Sequence, residues 1–192
     1  MRLSLTPVQR RLALALRERQ PLEGPQDASA QRAAVAVILS PEPDAVLLIR
    51  RAERAGDPWS GHLGLPGGRH DPADPDLCAT AMRESVEEVG CVLERDRLLG
   101  VLDEVWPGTP LPHIITVRPY VFALAERPPL AANPEVAEAF WVPLAELRDP
   151  VTYRDATLRV RGEDRIFPAY HLTQGVVWGL TERILTPLLT LA

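Results

Sequence analysis

A chain of 192 residues suits one compact domain with trimmings, or at most two very small ones. Its 46% hydrophobic and 24% charged residues are ordinary globular proportions and exclude wholesale disorder. The net charge of -5 argues against a general nucleic-acid coat protein, which carries a basic surface, but leaves a nucleotide substrate open, because arginines or divalent ions can be concentrated locally.

Taken in chain order, Thr6 to Arg19 reads as a helix, with Val8, Leu12 and Leu16 at helical spacing. Gln20 to Gln31 is rich in Pro, Gly and Asp and reads as a linker. Arg32 to Leu39 and Ala45 to Arg50 are apolar strands around a Pro-containing turn, together a hairpin. A Gly- and Pro-rich stretch from Arg51 to Arg69 precedes a helix from about Pro75 to Val89. Asp74 is its candidate N-cap, Pro75 its first helical position and Gly90 its terminator. Strands follow at Arg97 to Val105, Ile114 to Leu124 and Ala139 to Val142, then a short helix at Leu144 to Leu147. Thr157 to Ile166 alternates around Gly162 as a further hairpin, and Leu172 to Leu189 is the last helix. Strands and helices mix without regular βαβ alternation, which favours an α/β sandwich over a doubly wound sheet. Residues 1–30 would form an N-terminal helix and linker, and residues 31–192 the main domain.

Every basic residue is arginine, so any cationic grip on phosphate comes from a guanidinium, which can bind bidentately. Cys78 and Cys91 lack CxxC spacing and build no disulfide framework, which fits a reducing cytoplasm. The N-terminal stretch lacks the apolar run and cleavage site of a signal peptide. Gly175 to Ala192 is apolar but interrupted by Glu182 and Arg183 and too short to span a bilayer. Neither a membrane nor a nucleic-acid partner is expected; a homodimer through the terminal helices is open.

The informative segment is Arg83-Glu84-Ser85-Val86-Glu87-Glu88-Val89-Gly90. On a helix, Glu84, Glu87 and Glu88 stand at i, i+3 and i+4 and share one face, while Cys78, Met82, Val86 and Val89 project to the core with Ser85 at the edge. Crowded carboxylates repel, and a hard cation such as Mg²⁺ resolves that conflict through oxygen ligands. A solvated acidic face is the plain alternative for the helix alone. Gly67 and Gly68 just upstream, where absent side chains let backbone approach a ligand, tilt the reading toward a metal site.

At this point the chain resembles the Nudix hydrolases, whose box is written G-x5-E-x7-R-E-U-x-E-E-x-G-U with U bulky and apolar. Gly68, Arg83, Glu84, Glu87, Glu88 and Gly90 match it. The interval from Gly68 to Arg83 is one residue longer, Asp74 fills the first acidic position, Ser85 stands at an apolar position and Cys91 at the last one. The resemblance implies an α/β/α sandwich with a mixed central sheet, and a Mg²⁺- or Mn²⁺-dependent pyrophosphatase. It makes Glu84, Glu87, Glu88 and the Gly68 carbonyl metal ligands, and Arg83 a residue that orients the carboxylates by ion pairing.

Leu47 to Gly68 is similar to the coenzyme A pyrophosphatase branch of that family, which carries LLTxR[SA], a Gly-containing stretch and FPGG before the box. Leu47, Leu48, Arg51, Ala52, Gly61, Pro66, Gly67 and Gly68 fit. Ile49 and Leu65 replace Thr and Phe, the Ala52-to-Gly61 interval is one residue longer, and the inner arginine is displaced to Arg54. Arg50, Arg51, Arg54 and Arg69 are therefore candidate phosphate contacts, and Trp59 either stacks on an adenine or anchors its loop. His62 and His70 beside the diglycine read as incidental. The family also expects an acid on a loop before a Trp-containing strand; Glu135 is the candidate fourth ligand or general base, with Glu104 and Glu138 as rivals. Catalysis would then fall to Glu87, Glu88 and Glu135, acting on coenzyme A or an acyl-CoA. The rivals are a Nudix hydrolase of ADP-ribose, a dinucleotide or a nucleoside triphosphate, and, in another class, a catalytically silent nucleotide-binding regulatory module.

Overall fold

The computed structural model describes residues 5–25, 31–56, 59–107, 115–160 and 162–192. Ile114 and residues 26–30 of the expected linker lie outside them. In chain order the elements are α1 (Pro7–Glu18), β1 (Gln31–Ser40), β2 (Ala45–Arg51), β3 (Leu63–Gly64), β4 (Gly67–Arg69) and α2 (Leu77–Val89). There follow β5 (Leu98–Val101), β6 (Ile115–Ala123), β7 (Val136–Pro143), α3 (Leu144–Arg148), β8 (Tyr153–Val160), β9 (Glu163–Leu172), β10 (Gly175–Trp178) and α4 (Gly179–Leu191).

The expected hairpin forms beside its turn, with Leu39 opposite Val46 and Ser40 opposite Ala45. Away from the turn the two strands part. β1 takes β6 as a parallel neighbour from Gln31 opposite Ile115 to Leu39 opposite Ala123, and β4 as an antiparallel one. β2 pairs with β3 and β7, and β5 with β6, all antiparallel. The result is a mixed seven-stranded sheet.

Both faces of that sheet are covered, which is why its central strands read as unbroken apolar runs rather than alternating ones. Side-chain alternation sends Ala33, Val37, Leu39, Val46 and Leu48 into one core with Leu12 and Leu16 of α1, Leu147 of α3 and Leu185 of α4. The intervening Ala34, Ala36, Ile38, Leu47 and Ile49 enter a second core with Cys78, Ala81 and Val89 of α2. The fold is the expected α/β/α sandwich. Beside it, β8, β9 and β10 form a three-stranded antiparallel sheet.

α1 is set by its sequence: the Thr6 hydroxyl accepts the Gln9 N–H, the Gln9 side chain accepts the Thr6 N–H, both at 3.1 Å, and Pro7 needs no donor at the first position. Several boundaries differ from expectation. Only Leu98–Val101 of the stretch Arg97 to Val105 is strand; a 3-10 turn at Arg95–Arg97 precedes it, and Val105 contributes an isolated bridge to Val117. The strand carries a bulge at Leu98/Gly100, and at Gly100, with φ +157°, a Cβ would sit 2.6 Å from the Leu16 Cβ of α1. The last helix begins at Gly179, not Leu172, because the preceding residues close the second sheet as β9, a turn and β10. The short Ala139 to Val142 strand and the Gly162 hairpin are both longer than their apolar alternation suggested.

Candidate active site

Helix α2 is capped one turn-step later than its punctuation suggested. Asp76, not Asp74, is the N-cap, its side chain accepting the Ala79 N–H at 2.8 Å. Gly90 ends the helix as expected, in the left-handed region at φ +69°, with its N–H on the Val86 carbonyl at 2.9 Å. The inward face also differs. Ser85 is fully buried and satisfies its hydroxyl on the Ala81 carbonyl at 2.7 Å, whereas Val86 is 45% exposed. The buried stripe runs through Cys78, Ala81, Ser85 and Val89, with Glu88 beside it at 3% exposure. A serine can replace an apolar residue there because its one donor is spent within the helix.

The acidic face is organised by Arg83. Its guanidinium Nη1 donates to Glu84 Oε1 and Glu87 Oε2, each at 2.9 Å, and its Nη2 reaches Asp74 Oδ2 at 3.1 Å and the Arg69 carbonyl at 3.3 Å. Asp74 also accepts from Thr80 Oγ1 at 2.8 Å, so the residue expected to cap the helix anchors its arginine instead. The Arg83 hydrogen bonds hold the Asp74 carboxyl below its usual range. Thr80 in turn meets His70 Nδ1 at 3.0 Å, giving that histidine a structural contact.

Glu88 turns the other way, toward the diglycine, where Oε2 accepts the Gly67 N–H at 2.9 Å. Burial pushes its carboxyl up to about 7; the Gly67 N–H and the nearby Arg51 charge pull it down, and Glu84 and Glu135 push it further up. Burial likewise raises Glu84, against the opposing effect of Arg83. The two glycines are sterically required. A Cβ at Gly67, whose φ is +155°, would lie 2.3 Å from the Ala34 carbonyl oxygen, and one at Gly68 would lie 2.3 Å from Glu84 Oε1.

Glu135 precedes β7 and belongs to the same electrostatic neighbourhood, since its charge acts on both Glu84 and Glu88. Arg54 Nη2 pairs with Glu135 Oε1 at 3.1 Å, and the Ala52 N–H donates to the Glu135 carbonyl at 2.8 Å. Asn133, which nothing in the sequence singled out, ties this loop to α2: its N–H donates to the Glu88 carbonyl at 3.0 Å, and its Oδ1 accepts the Glu135 N–H at 2.8 Å. The rivals lie elsewhere. Glu104 is buried between Arg32 and Arg118, with Oε2 accepting the Gly24 N–H at 2.7 Å, and Glu138 faces Arg50 at 3.5 Å.

The arginines divide. Arg51 and Arg54 lie by the carboxylates, while Arg50 donates to the Gln174 carbonyl in the β9–β10 turn. Arg69 is exposed at the end of β4. Trp59 is 36% exposed, and its carbonyl accepts the His62 N–H at 3.1 Å.

Among the described residues no group of three or more His, Cys, Asp or Glu is arranged as a metal cage, because Arg83 gathers Glu84 and Glu87 while Glu88 turns to Gly67. The donor set nevertheless fits a hard divalent ion. It offers carboxylate oxygens only, two of the carboxyls are raised by burial, and Gly68 leaves backbone beside Glu84. Mg²⁺ asks for little more, since it keeps several waters and takes one or two carboxylates.

A mixed sheet clasped by helices, with an acidic helix face against a diglycine strand, is the arrangement that the resemblance to the Nudix family implies. The NUDIX domain model matches residues 30–160. The chain is 32% identical over 156 residues to an uncharacterized Nudix hydrolase, NudL, of Photorhabdus laumondii, covering 81% of each. It is 34% identical over 144 residues to a mitochondrial coenzyme A diphosphatase of Homo sapiens, covering 73% of this chain and 59% of that one. An uncharacterized Schizosaccharomyces pombe protein is 41% identical over 113 residues, and there the chain spans only 33% of the relative's length. A MutT/nudix family crystal structure from Enterococcus faecalis superposes with a TM-score of 0.60 at 20% identity, covering 90% of this chain and 64% of that one. The chain belongs to the Nudix family, whose members are hydrolases that use divalent metal ions on nucleotide-derived substrates.

Proposed function

We propose that this protein hydrolyses the diphosphate linkage of coenzyme A or an acyl-CoA, giving 3′,5′-ADP and 4′-phosphopantetheine or its acyl derivative. The observation that carries the hydrolytic part is that α2 sets its glutamates against the diglycine, with Glu88 accepting the Gly67 N–H, Glu84 abutting Gly68, and Arg83 tying Glu84 to Glu87. Glu84, Glu87, Glu88 and the Gly68 carbonyl would hold Mg²⁺ or Mn²⁺, with Arg83 orienting Glu84 and Glu87 by ion pairing. A bound divalent ion neutralises phosphate oxygens and lowers the pKa of water. Arg51, Arg54 and Arg69 grip the phosphates, Arg50 stiffens the adjoining wall, and Trp59 offers a stacking surface. Water forms the new P–O bond, the bridging P–O bond breaks, and the water's proton passes to Glu135 or to the Glu87/Glu88 pair. The substrate reading is supported by the Leu47 to Gly68 motif and by the human relative, whose name is that of a coenzyme A diphosphatase.

Residues 31–192 would carry the catalytic machinery, with residues 1–30 as an N-terminal helix and linker whose Leu12 and Leu16 pack into the same core. Cytoplasmic placement is supported by two free, buried cysteines, Cys78 and Cys91. No helix among the described residues is long and apolar enough to cross a membrane.

The deciding assay is phosphorus-product analysis of coenzyme A, ADP-ribose, a dinucleotide and a nucleoside triphosphate, each with Mg²⁺ and with chelator. Coenzyme A is expected to be split with the highest kcat/KM, and only with metal. Preference for another compound would reject the coenzyme A reading, and ligand binding without any product would favour the silent regulatory module. Glu87→Gln is expected to lower turnover by about 10²-fold or more while the protein keeps its melting temperature; a rate near wild type removes Glu87 from the site.

A further inference from the structure

The last carbonyls of a helix have no partner within it, and α2 finds partners for its own in two segments of the chain. Gly90 turns its N–H back on the Val86 carbonyl at 2.9 Å. The Val89 and Glu88 carbonyls are met from far away in sequence, by the Ala131 N–H at 2.9 Å and the Asn133 N–H at 3.0 Å. Gly90 leaves room for that approach, since a Cβ there would already lie 3.3 Å from the Ala131 Cβ. The segment that closes the helix is therefore the one that delivers Glu135.

From Asn133 onward the backbone is fixed at each step. The Asn133 Oδ1 accepts the Glu135 N–H at 2.8 Å, and the Asn133 carbonyl accepts the Val136 N–H at 3.1 Å, so the chain reverses around this one residue. Pro134 has no N–H to compete for that oxygen. The Glu135 carbonyl takes the Ala52 N–H at 2.8 Å. Just beyond, Arg51 pairs with Val136 and Arg50 with Glu138, an irregularity that fits one extra residue of β7 beside the site. The backbones of Glu88 and Glu135 are thus joined through Asn133 alone: its N–H on the Glu88 carbonyl, its carboxamide oxygen on the Glu135 N–H.

The side chains at the two ends of this link differ in what they can still do. Glu88 is buried and accepts the Gly67 N–H, and Glu84 and Glu87 both accept from Arg83. Glu135 is exposed, and its charge acts on both Glu84 and Glu88.

We propose that Asn133 is a positioning residue for the hydrolysis: it fixes Glu135 at the distance from the acidic face of α2 at which Glu135, rather than the Glu87/Glu88 pair, meets the attacking water. The proposal rests on the hydrolase reading and is indifferent to which diphosphate is cut. A carboxylate on a surface loop wanders unless its backbone is tied, and a displacement of about 1 Å costs a reacting group on the order of 10²-fold in rate.

The test measures kcat and KM at saturating Mg²⁺, on the best-cleaved compound of the substrate panel. It compares wild type, Asn133→Ala, Asn133→Asp, Glu135→Gln and the double variant Asn133→Ala/Glu135→Gln. Asn133→Ala is expected to lower kcat by about tenfold or more while KM moves less than about twofold, and Asn133→Asp, which keeps the acceptor oxygen, to recover most of the rate. In the Glu135→Gln background the alanine should cost nothing further, because the group it misplaces is already gone. A loss that persists undiminished in that background, a loss carried by KM, or wild-type turnover in either Asn133→Ala or Glu135→Gln overturns the proposal. Failure of the hydrolase reading looks different: wild type itself then releases no phosphorus product from any compound, and both fall together.

Discussion

Glu88 illustrates how one side chain can be placed at odds with its own solvation. Its carboxyl is almost wholly buried against the Gly67 backbone N–H, and burial weakens its acidity to about 7. Glu88→Gln keeps an acceptor for the Gly67 N–H and removes the buried charge. At pH 8 the metal-free variant is expected to melt higher than wild type, and the rise in Tm that Mg²⁺ brings to wild type should be lost; calorimetry with and without chelator checks both. At Gly68 the constraint is steric. Gly68→Ala puts a methyl into the space of the Glu84 carboxyl, and metal affinity measured by calorimetric titration is expected to fall about 10- to 100-fold. Unchanged affinity would mean that Glu84 has room to move aside. The spacing of the three glutamates made the face visible in the sequence. Spacing alone did not reveal that Arg83 bridges two of them while Glu88 departs, because that division depends on where Asp74 and Gly67 arrive from other segments.

Among the elements, α2 best separates local from tertiary control. Asp74-Pro75 reads as the helix start, yet Asp76 is the N-cap, because Asp74 is taken up by Arg83 and Thr80. Asp76→Ala should therefore cost about 1 kcal/mol in urea unfolding. The Asp76 carboxyl is held below its usual range, first by the Arg95 guanidinium and then by the Ala79 N–H. A depressed carboxyl contributes stability that is present above its unfolded pKa and lost as pH falls through the folded one, so the variant should show a flatter acid limb below about pH 4. Val86→Ser should shift stability by less than about 0.5 kcal/mol, since Val86 faces solvent. Helical periodicity had placed Val86 inside and Ser85 at the edge. The buried face is turned by about one residue from that pattern, because Ser85 hides its hydroxyl on the Ala81 carbonyl of its own helix. The last helix shows a different limit: Gly175 to Trp178 is apolar enough for either structure, and pairing with β9 makes it a strand.

At the scale of the whole molecule, α1 is built into the core of the sandwich rather than appended to it. Leu12 is fully buried there, and Gly100 has no side chain where Leu16 arrives. Leu12→Ala is expected to lower global stability by about 2–5 kcal/mol in a single cooperative unfolding transition; a separate early transition would instead make the helix an independent unit. Sequence by itself determined the fold class, the helix that carries the acids and the diglycine beside it, because these depend on periodicity, on charge spacing and on glycine's lack of a side chain, all local quantities. The tertiary structure alone decided which aspartate caps and which orients, that Asn133 fastens the Glu135 loop to α2, that Glu104 belongs to a structural ion cluster, and that a second sheet adjoins Arg50. Each of those outcomes is a competition for partners between segments far apart in the chain, and only the folded geometry brings the competitors within hydrogen-bonding distance.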